Sequence, residues 1–586
     1  MTAPPGPFPE AATRAAPCWP LRRTILCAAL IVIAVESALL LIHGDVLRGK
    51  LLDPDCYMHL QRALRLMTGD LQPEGIDPRI NAPFGFAIHW TALFDGLLVA
   101  MAWPLTLLGL PPREALYLGG AGLSPLLLIA ALGLLAAGLR RRLEGPAFLL
   151  LVVLFFTQPQ LFAAFLIGRT DHHSLVLGLM LVQLAWLYAL SEGRARHGGW
   201  AVPLALATGM AAGLQLCTTI EALPIILMVS LALAAGWLWL ARDLLRPLLL
   251  YWVGALAAVT VWLACTRGAA ALTPYYDRVS IVHVAVLLSG VVGLLIIRFL
   301  SARLPRWAAL AAGGIAALIL VAMSYPRFFL GPWPDIDPAV AYWHRQIGEL
   351  QPLLPDSPEN LAAFLTQFAP ALFALPLMAR GLRHGDAGER LAMLVSLCGL
   401  VIFGALSLAQ MRWAAEVQAV MLLPWTLTVR HILRSDIALR LGGRRLLLRT
   451  PIVMAALLLQ VVPPMIVPRP VPWAANPDCD WTAAARGLAA LPRQDGVVMT
   501  ELWSGPEILW RTGFSVVGGP YEIAPALADT QRFEQGGDAA RRAVLARRGI
   551  SHVLSCGPTR NAEALGLRPV PFPVPGFRLY RTAFAP

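Results

Sequence analysis

The sequence predicts a polytopic α-helical membrane protein of about thirteen spans with a small α/β domain at its C-terminal end. Three observations lead there. Hydrophobic residues make up 57% of the chain and charged ones 14%, with a mean hydropathy of +0.64, a balance that suits lipid as solvent. Apolar runs of about 18 to 22 residues recur, each able to cross a ~30 Å hydrocarbon layer as a helix that satisfies its own backbone. Beyond residue 470 these runs stop, and short helix-like and strand-like patterns alternate.

Residues 1–20, rich in Pro and Ala, read as a disordered cytoplasmic tail. The first span, 24–43, is longer than a signal-peptide core and lacks a small-residue cleavage site, so it is expected to be retained. An external loop, 44–115, follows. Its apolar stretch 93–110 is expected to lie along the membrane surface, because counting it as a span would break the charge alternation downstream. Eight spans are then expected near 116–139, 146–163, 174–191, 201–217, 222–240, 247–265, 279–299 and 306–323. A second long external loop, 324–359, precedes four more near 360–379, 391–409, 413–429 and 451–468, so the membrane domain runs over 21–469. In the external domain, 470–586, helices are expected at 481–491, 506–511 and 539–548, and strands at 496–500, 515–518 and 550–554.

The net charge of +12 does not signal nucleic acid. Its arginines sit in short connectors between apolar runs: Arg22 and Arg23, Arg140 to Arg142, Arg242 and Arg246, Arg298 and Arg303, Arg380 and Arg383, Arg430 and Arg434. Such a pattern follows the positive-inside rule. It places the protein in the inner (plasma) membrane with a cytoplasmic N-terminus and a periplasmic or extracellular C-terminal domain. Most of the eight cysteines fall in or near apolar runs, where they act as small hydrophobes. Cys479 and Cys556 both lie in the external domain, an oxidising setting that permits a disulfide.

The external loops hold the chemistry. The first carries Asp53-Pro54-Asp55-Cys56-Tyr57-Met58-His59, the next short one Arg169-Thr170-Asp171-His172-His173, and the loop 324–359 carries Gln346-Ile347-Gly348-Glu349. Carboxylates and imidazole arriving from separate loops on one side suit a divalent cation, and oxygen-rich sets suit Mg²⁺ or Mn²⁺. Asp171 and His173 are two apart, so an extended loop would point both side chains the same way.

The segment Asp77-Pro78-Arg79-Ile80-Asn81-Ala82-Pro83-Phe84-Gly85, continued by Ile88-His89-Trp90-Thr91-Ala92-Leu93-Phe94-Asp95, resembles the first external loop of oligosaccharyltransferase catalytic subunits, especially the archaeal form. Asp171-His172-His173 resembles that family's second acidic motif, and Gln346 to Glu349 its Thr-Ile-x-Glu motif, with Gln346 in the threonine place. The resemblance implies a C-type (GT-C-like) membrane glycosyltransferase. It would move a glycan from a polyprenyl phosphate or diphosphate carrier to an external protein, lipid or glycan acceptor. A monosaccharide transferase acting on lipid or polysaccharide is the near alternative, and a lipid or solute transporter the more distant one.

Carried over by position, Asp55, Asp171 and His173 would be metal ligands, and Asp55 and Glu349 catalytic, with Glu349 also near the acceptor. Arg412, in Gln410-Met411-Arg412-Trp413, would grip the donor phosphate, for which a guanidinium provides paired charged hydrogen bonds. Arg169 would be a second phosphate contact. The family's acceptor-reading motif Trp-Trp-Asp-Tyr-Gly is matched at Glu501-Leu502-Trp503-Ser504-Gly505 only in its glycine. Trp503 and Gly505 are therefore the acceptor-side candidates, and the sequon acceptor itself is in doubt.

Overall fold

The computed structural model describes residues 19–70, 75–193, 199–333, 335–441, 444–468 and 479–584. The N-terminal tail up to residue 18, and the junction near 470 where the C-terminal domain was expected to begin, lie outside the described residues.

Eleven of the described helices are long and apolar enough to cross a membrane, beginning with Leu21–His43 and ending with Arg449–Ile466. The expected count of about thirteen is not reached by that criterion, for two local reasons. The run at 146–163 breaks into Gly145–Phe155 and Pro159–Ala163, with Phe156, Thr157 and Gln158 between them. The helix at 413–429 exists as Ala414–Arg434, but carries Glu416, Gln418 and, at its far end, Arg430, His431 and Arg434. It is buried from Ala414 to Thr426, so neighbouring helices rather than lipid surround it. Close helix contacts rest on small residues: a Cβ on Gly209 would fall 2.0 Å from the Tyr251 carbonyl oxygen across the pair Ala201–Thr218 and Leu245–Arg267.

The C-terminal domain is a five-stranded mixed sheet. Val497–Met499 pairs in parallel with Ser515–Val516 on one side and with Ile550–Cys556 on the other. Phe577–Arg581 then runs antiparallel to Ile550–Cys556, and Arg568–Val570 closes the order. Helices Trp481–Ala489, Gly505–Arg511, Ala524–Gln535 and Asp538–Arg548 accompany it. The helix Ala524–Gln535 and the last two strands go beyond the sequence reading. Cys479 and Cys556 form a disulfide, with Cα atoms 6.0 Å apart, that closes a loop of 77 residues.

Side chains of the first long loop enter the core of this domain. Met58, Ile80, Ile88 and Trp90 pack with Val498, Ile508, Phe514 and Tyr521. The backbone joins too, since Val516 N–H donates to the Arg79 carbonyl (2.8 Å) and Ala82 N–H to the Val516 carbonyl (3.1 Å). Arg79 Nη2 sits among the carbonyls of Leu509 (3.0 Å), Thr512 (2.7 Å) and Phe514 (2.7 Å). Arg548, buried, reaches back with Nη1 to the carbonyls of Asn81 (3.1 Å) and Ala82 (3.0 Å) while its Nε pairs with Asp529 at 2.7 Å. The stretch Asp77 to Pro83, which carried much of the sequence resemblance, is thus a docking segment built of turns.

Replacing Arg79 by Met leaves those three carbonyls without their donor. The expected cost is about 3 kcal/mol or more, from buried acceptors losing their partner. It is read as a lower unfolding temperature in detergent and faster proteolysis within 479–584; unchanged protease resistance would contradict the clamp.

Candidate active site at the loop ends

Asp53 and Asp171 each arrive at the start of a helix. Asp53 caps Pro54–Thr68, its Oδ1 accepting from Cys56 N–H at 3.0 Å, with Pro54 preset for the first turn and Gly69 (φ 79°) ending the helix. Asp171 precedes His173–Ser191 and accepts from His173 N–H at 2.9 Å through Oδ1. Helix starts favour negative charge, which offsets part of the cost of gathering carboxylates there. Thr170 Oγ1 donates to the Cys56 carbonyl at 3.1 Å and ties the two loops together.

Between these carboxylates lies Arg169, its Nε 2.7 Å from Asp171 Oδ2 and its Nη2 3.4 Å from Asp53 Oδ2. Burial works against its charge, but Asp171 and Asp53 hold the guanidinium above its ordinary value. The sequence-based role of Arg169 as a phosphate contact is met by a side chain already engaged with acids. Asp55 stands in the first turn of the same helix. Burial pushes its carboxyl well above the ordinary range, Asp53, Asp171 and Glu349 push it further, and Arg169 opposes them.

Asp53, Cys56 and Asp171 offer ligand atoms all within 4.8 Å of one another. Asp171 Oδ2, buried, is met by the Arg169 guanidinium as an ion pair at 2.7 Å without a well-aligned hydrogen bond. Burial, followed by Asp53 and Asp171, raises the Cys56 thiol far above its usual value and keeps it protonated. The remaining donors are oxygens, and this set fits a hard divalent cation. His173 is placed differently from the extended-loop expectation. It opens a helix instead, so its backbone turns toward Asp171 while its ring stacks on His172 at 4.6 Å.

A buried chain of polar groups supports the cluster from behind. Asp95 Oδ1 lies 2.6 Å from His59 Nδ1, and His59 Nε2 lies 3.1 Å from His172 Nδ1. Arg62 Nε holds the other oxygen of Asp95 at 2.7 Å. With Nδ1–H of His59 donated to Asp95, Nε2 must accept from His172, which fixes both imidazole tautomers. Trp90 stacks on His59 at 4.5 Å. Tyr521, from the C-terminal domain, packs edge-on against Trp90 and turns its hydroxyl toward Asp55 without closing a hydrogen bond.

The loop 324–359 closes the other side. Met411 N–H donates to the Gln351 carbonyl at 2.9 Å, which sets Glu349, exposed, beside Arg412. Arg412 Nη2 is paired with Glu221 Oε2 at 2.6 Å. Against burial, Glu221 and then Glu349, Glu416 and Glu522 hold the Arg412 guanidinium above its ordinary value. Trp503 packs on Trp343 of that loop, ring centres 5.3 Å apart. Gly505 is required by packing, since a Cβ there would meet the Gly518 carbonyl oxygen at 2.2 Å. Burial and Glu534 push the nearby Glu501 carboxyl up to about 7.

Asp53, His59, His172, Glu221, Tyr521 and Glu522 are the site residues that sequence reasoning did not single out. Asp53 and His59 stood inside the motif already quoted. Tyr521 and Glu522 have no sequence signal, since only the docking of the C-terminal domain brings them in.

No protein-family model and no curated protein matches the chain. Solved structures do. The archaeal oligosaccharyltransferase AglB from Archaeoglobus fulgidus, in complex with an inhibitory peptide and a dolichol-phosphate, superposes with a TM-score of 0.65 at 14% identity, over 91% of this chain and 69% of that one. The same organism's oligosaccharyltransferase in the apo form gives 0.65 at 15% identity with the same coverage. Its complex with Zn and sulfate gives 0.61 at 16% identity, over 91% and 67%. The chain therefore has the oligosaccharyltransferase fold: a polytopic helical membrane domain carrying a small α/β domain.

Glu522 is clamped between two loops, with His344 Nε2 at 3.2 Å and His89 Nδ1 at 3.7 Å. Although burial opposes it, the His344 bond and His89 bring its carboxyl down to about 2 from an ordinary 4.5. A carboxyl depressed by folding contributes stability above its unfolded value and loses it as pH falls through the folded one. Domain docking should therefore weaken between about pH 4.5 and pH 2. Glu522→Gln should abolish that increment when unfolding temperature is followed against pH; an unaltered profile would discount the clamp.

Proposed function

We propose that this protein is a membrane glycosyltransferase that moves a sugar or glycan from a polyprenyl phosphate or diphosphate carrier to an acceptor on the outer side of the membrane. One observation carries the reading: carboxylates from two separate loops, Asp53 with Asp55 and Asp171, meet around one buried cluster at the loop ends, with Glu349 and Arg412 facing it. That arrangement lies in the fold of an enzyme solved with dolichol-phosphate and, separately, tethered to an acceptor peptide containing the NVT sequon.

In this reading Asp53, Asp55 and Asp171 hold Mg²⁺ or Mn²⁺, with His173 nearby. When bound, the cation stabilises the negative charge that grows on the carrier phosphate as the glycosidic bond breaks. Arg412 offers its remaining N–H groups to the same phosphate, and its Glu221 partner fixes the angle of the fork. Asp55 and Glu349 orient the acceptor, and Glu349 takes up its proton. His59, held by Asp95, keeps His172 in one tautomer behind the site. The acceptor differs from the Asn-x-Ser/Thr sequon, because Glu501, Leu502, Trp503 and Ser504 replace the residues that would read it. Trp503 and Gly505 shape the wall on that side.

Purified protein incubated with labelled polyprenyl-linked sugars and Mn²⁺ should transfer label to an acceptor. Asp171→Asn should lower transfer at least about a hundredfold, as expected when a metal ligand or preorganised charge is lost, with unfolding temperature within a few degrees. Retained activity in Asp171→Asn, or no turnover of any lipid-linked donor, would overturn the proposal. Asp95→Asn should lower turnover with little change in KM, and a proportionate loss of folded protein instead would reduce the His59 chain to a structural role.

A further inference from the structure

At the arginine-rich end of the bundle, away from the acidic cluster, a cavity of about 350 Å³ opens where three helix ends meet. Its walls come from the end of Leu223–Trp239, the start of Leu245–Arg267, and the turn between Ile281–Leu300 and Arg306–Ser324. Four guanidiniums line it, those of Arg242, Arg246, Arg298 and Arg306, against one carboxylate, Asp243.

The four are not equivalent. Arg306 Nη1 donates to the carbonyls of Trp237 (2.8 Å) and Leu238 (3.2 Å), capping the end of that helix and fixing the floor of the cavity. Among the described residues, Arg242, Arg246 and Arg298 show no ion pair or hydrogen-bond acceptor for their guanidiniums. Topological arginines need only reach water on their own side of the membrane. Here they converge on one cavity from separate connectors, which places like charges together with a single carboxylate, that of Asp243, on the same wall.

The surroundings specify the anion. Leu245, Leu249 and Leu304 supply apolar wall. Beside the cavity the large exposed side chains are Trp239 (71% exposed), Phe299 (60%) and Trp307 (67%). Aromatic side chains in that position mark the headgroup level of a bilayer. A phosphate lodged among the arginines would thus have its chains running down the exposed faces of Ile281–Leu300 and Arg306–Ser324, where Leu288, Leu295, Ile315 and Leu318 face outward.

We propose that this cavity binds the phosphate of an anionic phospholipid headgroup. The site is separate from the acidic cluster and does not depend on the glycosyltransferase reading.

Full-length protein purified in mild detergent would be mixed with phosphatidylglycerol, with phosphatidylcholine, or with inorganic phosphate, and bound species read by native mass spectrometry. Phosphatidylglycerol should be retained and phosphatidylcholine should not. Arg242→Gln/Arg246→Gln/Arg298→Gln should weaken retention at least about tenfold, as expected for three lost basic contacts near a membrane surface. The control Arg303→Gln/Arg380→Gln/Arg383→Gln, equal in charge, should retain it. Arg298→Gln alone, the mildest change, should give a smaller loss in the same direction. Equal weakening in the control would reduce the effect to net charge and overturn the site. Capture of inorganic phosphate with no preference for phosphatidylglycerol would overturn the lipid assignment.

Discussion

The backbone of residues 79–82, sewn to Val516 and held by Arg79 and Arg548, is the constraint on which the rest of the molecule depends. Two hydrogen bonds add the first loop to the edge of the C-terminal sheet, beside Ser515–Val516. Two arginines then satisfy carbonyls across the same seam. Ile80, Ile88 and Trp90 are consequently core residues of a domain that begins some four hundred positions later in the chain. Helix Pro54–Thr68 follows them into place, because its Met58 belongs to that same core. The acidic cluster inherits its position from this union.

Electrostatics explains how so many acids share one small volume. Asp53 and Asp171 sit at helix starts, where unpaired N–H groups offset negative charge. Arg169 bridges them. At Asp55 burial, added to the charges of Asp53, Asp171 and Glu349, outweighs the opposing pull of Arg169 and pushes the carboxyl well above its ordinary range. On the opposite wall the order is reversed, with the Arg412 guanidinium held by Glu221, Glu349, Glu416 and Glu522. A polar floor of Asp95, His59 and His172 keeps this arrangement rigid without adding net charge at its mouth.

The membrane helices were largely legible because each apolar run need only outlast the hydrocarbon layer, a property of the segment alone. Ala414–Arg434 shows where that logic stops: a helix surrounded by protein is free to carry Glu416 and Gln418, and hydropathy no longer separates it from a surface helix. The acids of the site were legible as a collection but not as a geometry. Asp171 and His173 were read as neighbours on an extended loop, whereas a helix begins at His173 and redirects its side chain. Asp53 was quoted only as part of the motif around Asp55, yet it caps the helix and the same carboxylate also faces Arg169. Tyr521 and Glu522 lay beyond any local pattern, since their relevance comes from docking across hundreds of residues.

The shared seam between residues 79–82 and the C-terminal domain also sets an order of assembly. Arg79 is made long before Leu509, Thr512 and Phe514, whose carbonyls it needs and which follow it by 430 to 435 positions. Until then the first loop has no core to enter, and neither does its half of the acidic cluster. The membrane helices can therefore be inserted one after another while the site remains unassembled, and it closes only once residues 509–516 have been delivered.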